Sequence, residues 1–304
     1  MPRRTLEALG LHIVPALHPL TYPGRPVPGP SLLTGRRLLP LRPGGTHLGA
    51  WLVRNRTLDD VLGPYPAAVR HPVLAVGSNA SPAQLAHKFR RLAATVPMVP
   101  ARTRGIAVGC SAHIGRAGYV AAAPYADPDA ERTLVISWLD AAQLAAVDAT
   151  EIHYHRVLLP GGAYPMTLPS GERLGGAYLY VSRHGVLLDP ATRRPRPGGG
   201  DQAVLLAGLL RASPRLRALL GPDPEHWVER TAADPAVRAE GTRIFAEEGW
   251  VGPEGNFPRP AAEAGGPAPG YGDLAAHQGN RQRLVYPPYP YGAFCPDELA
   301  RGGE

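Results

Sequence analysis

The stretch that most limits what this chain can become runs from His71 to Leu85, His-Pro-Val-Leu-Ala-Val-Gly-Ser-Asn-Ala-Ser-Pro-Ala-Gln-Leu. Val73 to Val76 form a short apolar run bounded by turn formers, the pattern of a buried strand. Gly77, Ser78 and Asn79 break it, because all three tolerate the backbone angles of a turn. Ser81 then reads as a helix N-cap. Pro82 takes the first helical position, where its missing N–H costs nothing, and Gln84 stands where a capping box closes. Leu85, Phe89 and Leu92 recur at helical spacing, which predicts a helix over 82–94. A strand, a tight turn and a helix start in that order aim the backbone N–H groups around Gly77 to Ala80 at one spot, a setting that suits an anion.

Composition bounds the surroundings of this stretch. Gly and Pro number 36 each in 304 residues and they cluster, so long irregular segments should surround a compact core. Residues 1–70 are expected to wrap that core, with a short helix near Arg56 to Leu62 capped by Asn55 or Thr57. Residues 71–183 form the main domain. Residues 184–304 supply a linker at Arg193 to Gly200, helical spacing over Ala203 to Leu220, and one or two helices over Trp227 to Gly249. Trp227, Val237, Ile244 and Phe245 are candidate core residues there. A loose Gly/Pro/Ala-rich segment follows at 252–272, then an aromatic and proline-rich tail, Tyr286 to Phe294, read as a packed tail or a polyproline ligand.

Several function classes become unattractive on the same grounds. No apolar run approaches the ~20 residues of a membrane span. The Met-Pro-Arg-Arg start lacks the apolar stretch of a secretory signal, so a cytoplasmic protein is expected. Cys110 and Cys295 make no disulfide framework. The net charge of +7 comes almost wholly from arginine, Lys88 being the only lysine. Those arginines are scattered, without basic runs or aromatic interleaving, which argues against nucleic acid.

Between the first helix and residue 183 the chain alternates. Ile106 to Cys110 and Gly118 to Ala123 read as short strands, Pro124 to Asp129 as a loop, and Thr133 to Leu139 as the strongest strand. Asp140 caps a second helix, with Gln143 completing a capping box. Leu144 and Val147 lie on its apolar face, and Glu151 falls four residues further on that face. His153 to Leu159 and Gly176 to Ser182 are two more strands. Strands interleaved with two helices predict an α+β fold.

The order of these features resembles the γ-glutamylcyclotransferase-like family. The carriers are Val76-Gly77-Ser78-Asn79 after a strand, the segment Leu144 to Glu151, Tyr154-His155-Arg156-Val157, and the closing strand Ala177 to Val181. The resemblance implies a small mixed β-barrel with flanking helices, a pocket at the Gly-Ser-Asn turn, and Glu151 as catalytic base. It places Val76, Gly77, Ser78, Asn79 and Ala80 at a small-molecule γ-glutamyl substrate and needs no cofactor or metal. Tyr154 and Tyr180 either line that pocket or pack the strands. In such a reaction the substrate's own α-amine attacks its γ-carbonyl, releasing 5-oxoproline and a free amine. The nucleophile is intramolecular, so the protein has to fold the substrate and move protons.

Two other readings stay open. Val76 and Ile152 depart from the family pattern, which motivates a non-catalytic binding module on the same scaffold. His153 and His155 share a strand face and motivate a metal-dependent hydrolase, although no third ligand sits at a suggestive spacing. A serine hydrolase built on Ser78 lacks its Gly-x-Ser-x-Gly motif.

Overall fold

The computed structural model describes residues 4–92 and 95–257. The expectations for the tail from Tyr286 to Phe294, for Cys295 and for the loose segment past residue 257 lie outside the described residues. The N-terminal part contributes β1 (Ser31–Thr34), β2 (Arg37–Pro40), β3 (Leu52–Val53), β4 (Arg56–Thr57) and α1 (Leu58–Leu62). The middle holds β5 (His71–Ala75), α2 (Pro82–Lys88), β6 (Thr95–Ile114), β7 (Val120–Leu139), α3 (Ala141–Asp148), β8 (Tyr154–Pro160), β9 (Met166–Thr167) and β10 (Gly176–Ser182). Four helices follow: α4 (Gln202–Ala212), α5 (Pro214–Leu220), α6 (Pro224–Ala233) and α7 (Pro235–Glu247).

The α+β class holds, with one large mixed sheet. Its order is β2-β1-β6-β7-β5-β10-β8, with β9 attached to β6 and β3-β4 forming a separate pair. β5 and β10 run parallel in it, and its other pairings among the described residues are antiparallel. The expected small barrel is not closed: the path ends at β2 and β8, and no pairing among the described residues joins them. The outer edge of β6 is taken instead by β1, against Thr95 to Met98, and by β9, against Arg102 and Thr103.

Local chemistry explains where the elements begin and end. The Asp140–Gln143 capping box closes in both directions, and Thr57 and Asp60 do the same for α1. Ser81 caps α2 as expected, but Gln84 Oε1 accepts from Ala16 N at 3.2 Å instead of returning to the cap. At its other end α2 stops at Lys88, short of residue 94, with Phe89 as the C-cap. The loop expected at Pro124 to Asp129 lies inside β7. The register passes there from Ile106↔Ala126 to Arg104↔Glu131, so Pro128, which has no N–H to donate, falls in the residues bulged out of the ladder. Gly105 opposite that bulge has φ +80°, a left-handed backbone that glycine accepts without strain. The helix expected over 203–220 is broken at Ser213-Pro214, where Ser213 caps α5. The supposed linker is a strap along β6: Gly198 N donates to Val108 O at 3.0 Å, and Cys110 Sγ to Pro197 O at 3.4 Å.

Both faces of the central strands are buried, which is why β5 and β10 read as unbroken apolar runs. Val73, Val135, Leu139, Tyr178 and Tyr180 face a cluster built with α2, α3 and the N-terminal residues Leu6, Leu11, Val14 and Tyr22. Leu74, Ile136, Trp138 and Leu179 face a second cluster with Trp51, Leu58 and Leu62. The tip of the β6–β7 hairpin (Cys110, Ala112, Ile114, Val120) shares a third with α4 to α7, centred on Trp227 and Phe245. Trp227 is fully buried, and its Nε1–H donates to Gly118 O at 2.9 Å. No helix among the described residues is long and apolar enough to cross a membrane.

Candidate functional site

Glu151 does not lie on the face of α3, which ends at Asp148. It occupies the turn that follows, where Glu151 N donates to Asp148 O at 3.1 Å and Tyr154 N to Glu151 O at 2.9 Å. From there its carboxylate reaches the turn after β5. Glu151 Oε1 accepts from Asn79 Nδ2 at 3.0 Å and from Lys88 Nζ at 2.8 Å. The lysine and glutamate side chains are 7% and 16% exposed, so this is a largely desolvated ion pair. Its cation is the chain's one lysine, at the C-terminal end of α2. Composition shows that lysine to be alone, but only the folded chain shows what it faces.

The turn itself is a single helical turn, Ser78–Ala80. Ala80 N donates to Gly77 O at 3.0 Å and Ser81 N to Ser78 O at 2.9 Å, so the turn consumes one of the N–H groups expected to face a ligand, that of Ala80. Those of Gly77, Ser78 and Asn79 stay outside that pair of bonds. Asn79 supplies a side-chain donor in addition. Its Oδ1 is buried without a hydrogen-bond partner among the described residues, as is Ser137 Oγ. Both residues line a cavity of about 10 Å³ with Val73, Ala75, Leu85, Leu139 and Val147, about the room one water needs. Val76 is half-buried and packs against both central clusters.

Gly77 is required by close packing. A Cβ there would overlap the Tyr22 hydroxyl and stand 3.3 Å from Ala122 Cβ. Tyr22 Oη accepts from Ala122 N at 2.7 Å, and the ring stacks on Tyr119 at 4.2 Å between centroids. Tyr154 donates to Ala122 O at 3.0 Å, and Tyr180 to Asp148 Oδ1 at 2.7 Å. Asp148 Oδ1 also meets Arg156 Nε at 3.0 Å. Burial raises the pKa of all four phenols, Tyr119 to about 12, and the Glu151 charge pushes each the same way. At neutral pH they remain protonated. The hydroxyls of Tyr154 and Tyr180 are thus committed to protein acceptors, while both residues feel the Glu151 charge. Tyr22 and Tyr119 join them without having been legible as site residues.

The histidines group differently from the expected pair. β8 begins at Tyr154, so His153 precedes it, while His155 lies within β8 opposite Val181. His153 is gathered instead with His113 and His184, one ring nitrogen of each lying within 4.8 Å of the other two. His155 is not part of that group. Burial is the largest cause lowering the pKa of all three, with mutual repulsion adding to it at His113 and His184 and Arg183 at His153. These neutral imidazoles are the ligands here that could hold a metal. No family model, no curated protein and no solved structure matches this chain.

Proposed function

We propose that this chain is a γ-glutamyl cyclotransferase-type enzyme, with Glu151 as the proton-transfer group. The observation that carries the reading is the meeting of Glu151 with Asn79 across 72 positions of sequence, at the turn where the motif order puts the substrate. The open sheet departs from the barrel of the resembling family, so the reading rests on that meeting and on the motif order.

The reaction needs one bond made and one broken. The substrate's α-amine attacks its γ-carbonyl carbon and closes a five-membered ring; the amide C–N bond then breaks. Glu151 takes a proton from the attacking nitrogen and returns one to the leaving amine. Asn79 and Lys88 both bond Oε1, which leaves Oε2 for that exchange. The N–H groups of Gly77 to Asn79 are the donors for the carbonyl oxygen as charge develops on it.

The Lys88 pair also favours a second reading, a binding module in which Glu151 is a structural anchor. Incubation of the purified chain with a panel of γ-glutamyl amines, amino acids and peptides separates the two. The enzyme reading predicts equal amounts of 5-oxoproline and free amine from at least one member, measured by mass spectrometry. Binding without product from any member contradicts it.

A further inference from the structure

His113, His153 and His184 come from three distant parts of the chain, and the proposed reaction uses none of them. Backbone pairing brings them together. Arg183 N donates to His153 O at 2.9 Å, one step beyond the Ser182↔Tyr154 pair that ends the β8–β10 ladder. On the opposite side Ala112 N donates to Gly185 O at 3.2 Å, and Ser111 bridges to Val186. Residues 183–186 are thereby fixed between the start of β8 and the end of β6. His184 sits on that segment, with His153 on one flank and His113 on the other.

We propose that His113, His153 and His184 form a binding site for a late first-row divalent metal ion, with Zn²⁺ as the representative. Their approach is already close. His153 Nδ1 stands 3.0 Å from His184 Nε2, and the ring centroids are 4.5 to 5.1 Å apart. Ligand nitrogens about 2.0–2.1 Å from a tetrahedral Zn²⁺ lie about 3.3 Å from one another. Contraction from 4.8 Å therefore asks for side-chain shifts on the order of 1 Å. The His113 and His184 rings are stacked with 20° between planes, so a ring has to turn for both lone pairs to face one ion. His153 and His184 are half-buried and have room to do so. His113, 3% exposed, does not.

The support behind His113 is of the kind that orients a ligand. Its Nδ1 is 2.6 Å from Ser111 Oγ, which leaves Nε2 to face the other rings. Ser111 Oγ is 2.6 Å from Ser182 Oγ, and that hydroxyl accepts from His184 N at 3.1 Å. A chain of hydroxyls thus ties the orientation of one ring to the backbone of another, as outer partners of metal-bound histidines do. Three imidazoles suit Zn²⁺, Ni²⁺ or Cu²⁺ and leave further positions for water or a ligand. The field around them is mixed: Arg183 and Arg238 oppose a cation near His153, and Glu151 favours one. Coordination, more than charge, has to supply the affinity.

The test uses the untagged full chain, freed of metal with a chelator and titrated with ZnCl₂ by calorimetry. The expected result is one saturable Zn²⁺ per chain, weakened at least about 100-fold by His184→Ala or His153→Ala and about tenfold by Ser111→Ala. His155→Ala and Glu151→Gln should leave it in place. Co²⁺ loading of the wild-type chain gives a readout independent of how the variants fold, with the intense visible bands of a four-coordinate ion. Absence of saturable binding, binding indifferent to the His153 and His184 substitutions, or a six-coordinate Co²⁺ spectrum would each overturn the assignment.

Discussion

At Glu151 a charge has been given partners, whereas at the histidine corner polar rings are held against one another and against hydroxyls. The carboxylate accepts from an ammonium and an amide, and its charge pushes up the pKa of Tyr22, Tyr119, Tyr154 and Tyr180. His113 bonds to Ser111 and His153 to His184, with the His113 ring packed against both. Only four positions of backbone separate Glu151 from His155, and two separate it from His153, yet the environments differ in kind. A buried charge without a partner is costly, so the glutamate's setting is specified by the Lys88 ammonium that pairs with it. Neutral imidazoles carry no such penalty, and ladder register alone can assemble them. The contrast separates a site organised by electrostatics from one organised by topology.

That contrast can be broken most severely at the ion pair. Lys88→Met removes the cation and leaves a largely desolvated carboxylate, so unfolding in urea should show a loss of about 3 kcal/mol. Adding Glu151→Gln should recover more than half of it. A single variant as stable as the wild type would show that solvent, and not Lys88, satisfies the glutamate. The next effect belongs to packing beside the same turn. Gly77→Ala places a methyl on the Tyr22 hydroxyl and should cost about 2 kcal/mol, part of it restored by Tyr22→Phe. Equal losses with and without Tyr22→Phe would mean that Ala122 or the turn backbone sets the cost.

Glu172 sharpens the comparison as a carboxyl whose titration is set by burial. Burial raises it from the ordinary 4.5 to about 7, and its Oε2 has no hydrogen-bond partner among the described residues. The folded chain holds this proton to higher pH than the unfolded chain does. The stability it confers is complete below about pH 4.5 and is lost as pH rises through about 7. The group is only partly buried, so screening limits the effect to about 1 kcal/mol. Glu172→Gln should stabilise at pH 8 and change little at pH 4.5, read from urea midpoints at the two values. An equal effect at both would remove the desolvation account.

Much of the frame was legible because its signals are local. The apolar run after His71, the caps at Thr57, Ser81 and Asp140, and the strand from Gly176 to Ser182 each depend on neighbours within a few positions. The convergence of Glu151 with Asn79 was expected only through the family resemblance. What escaped depends on distant partners. β1 and β2 were read as irregular because their strand character comes from β6. The middle of β7 read as a loop because Pro128 and its flanking aspartates sit in a bulge that only the pairing reveals. Lys88 stood out by composition, yet nothing local says that it faces Glu151. The His153–His155 spacing gave no sign that His153 is grouped with His113 and His184, which are brought in by register between strands far apart in sequence.

The central claim is that Glu151 moves protons from the turn it shares with Asn79. The rate of 5-oxoproline release by wild type and Glu151→Gln, at matched folded fractions, tests it most directly. The account predicts a fall of at least about 100-fold with native circular dichroism retained. Release at a near-wild-type rate from the folded variant would contradict it.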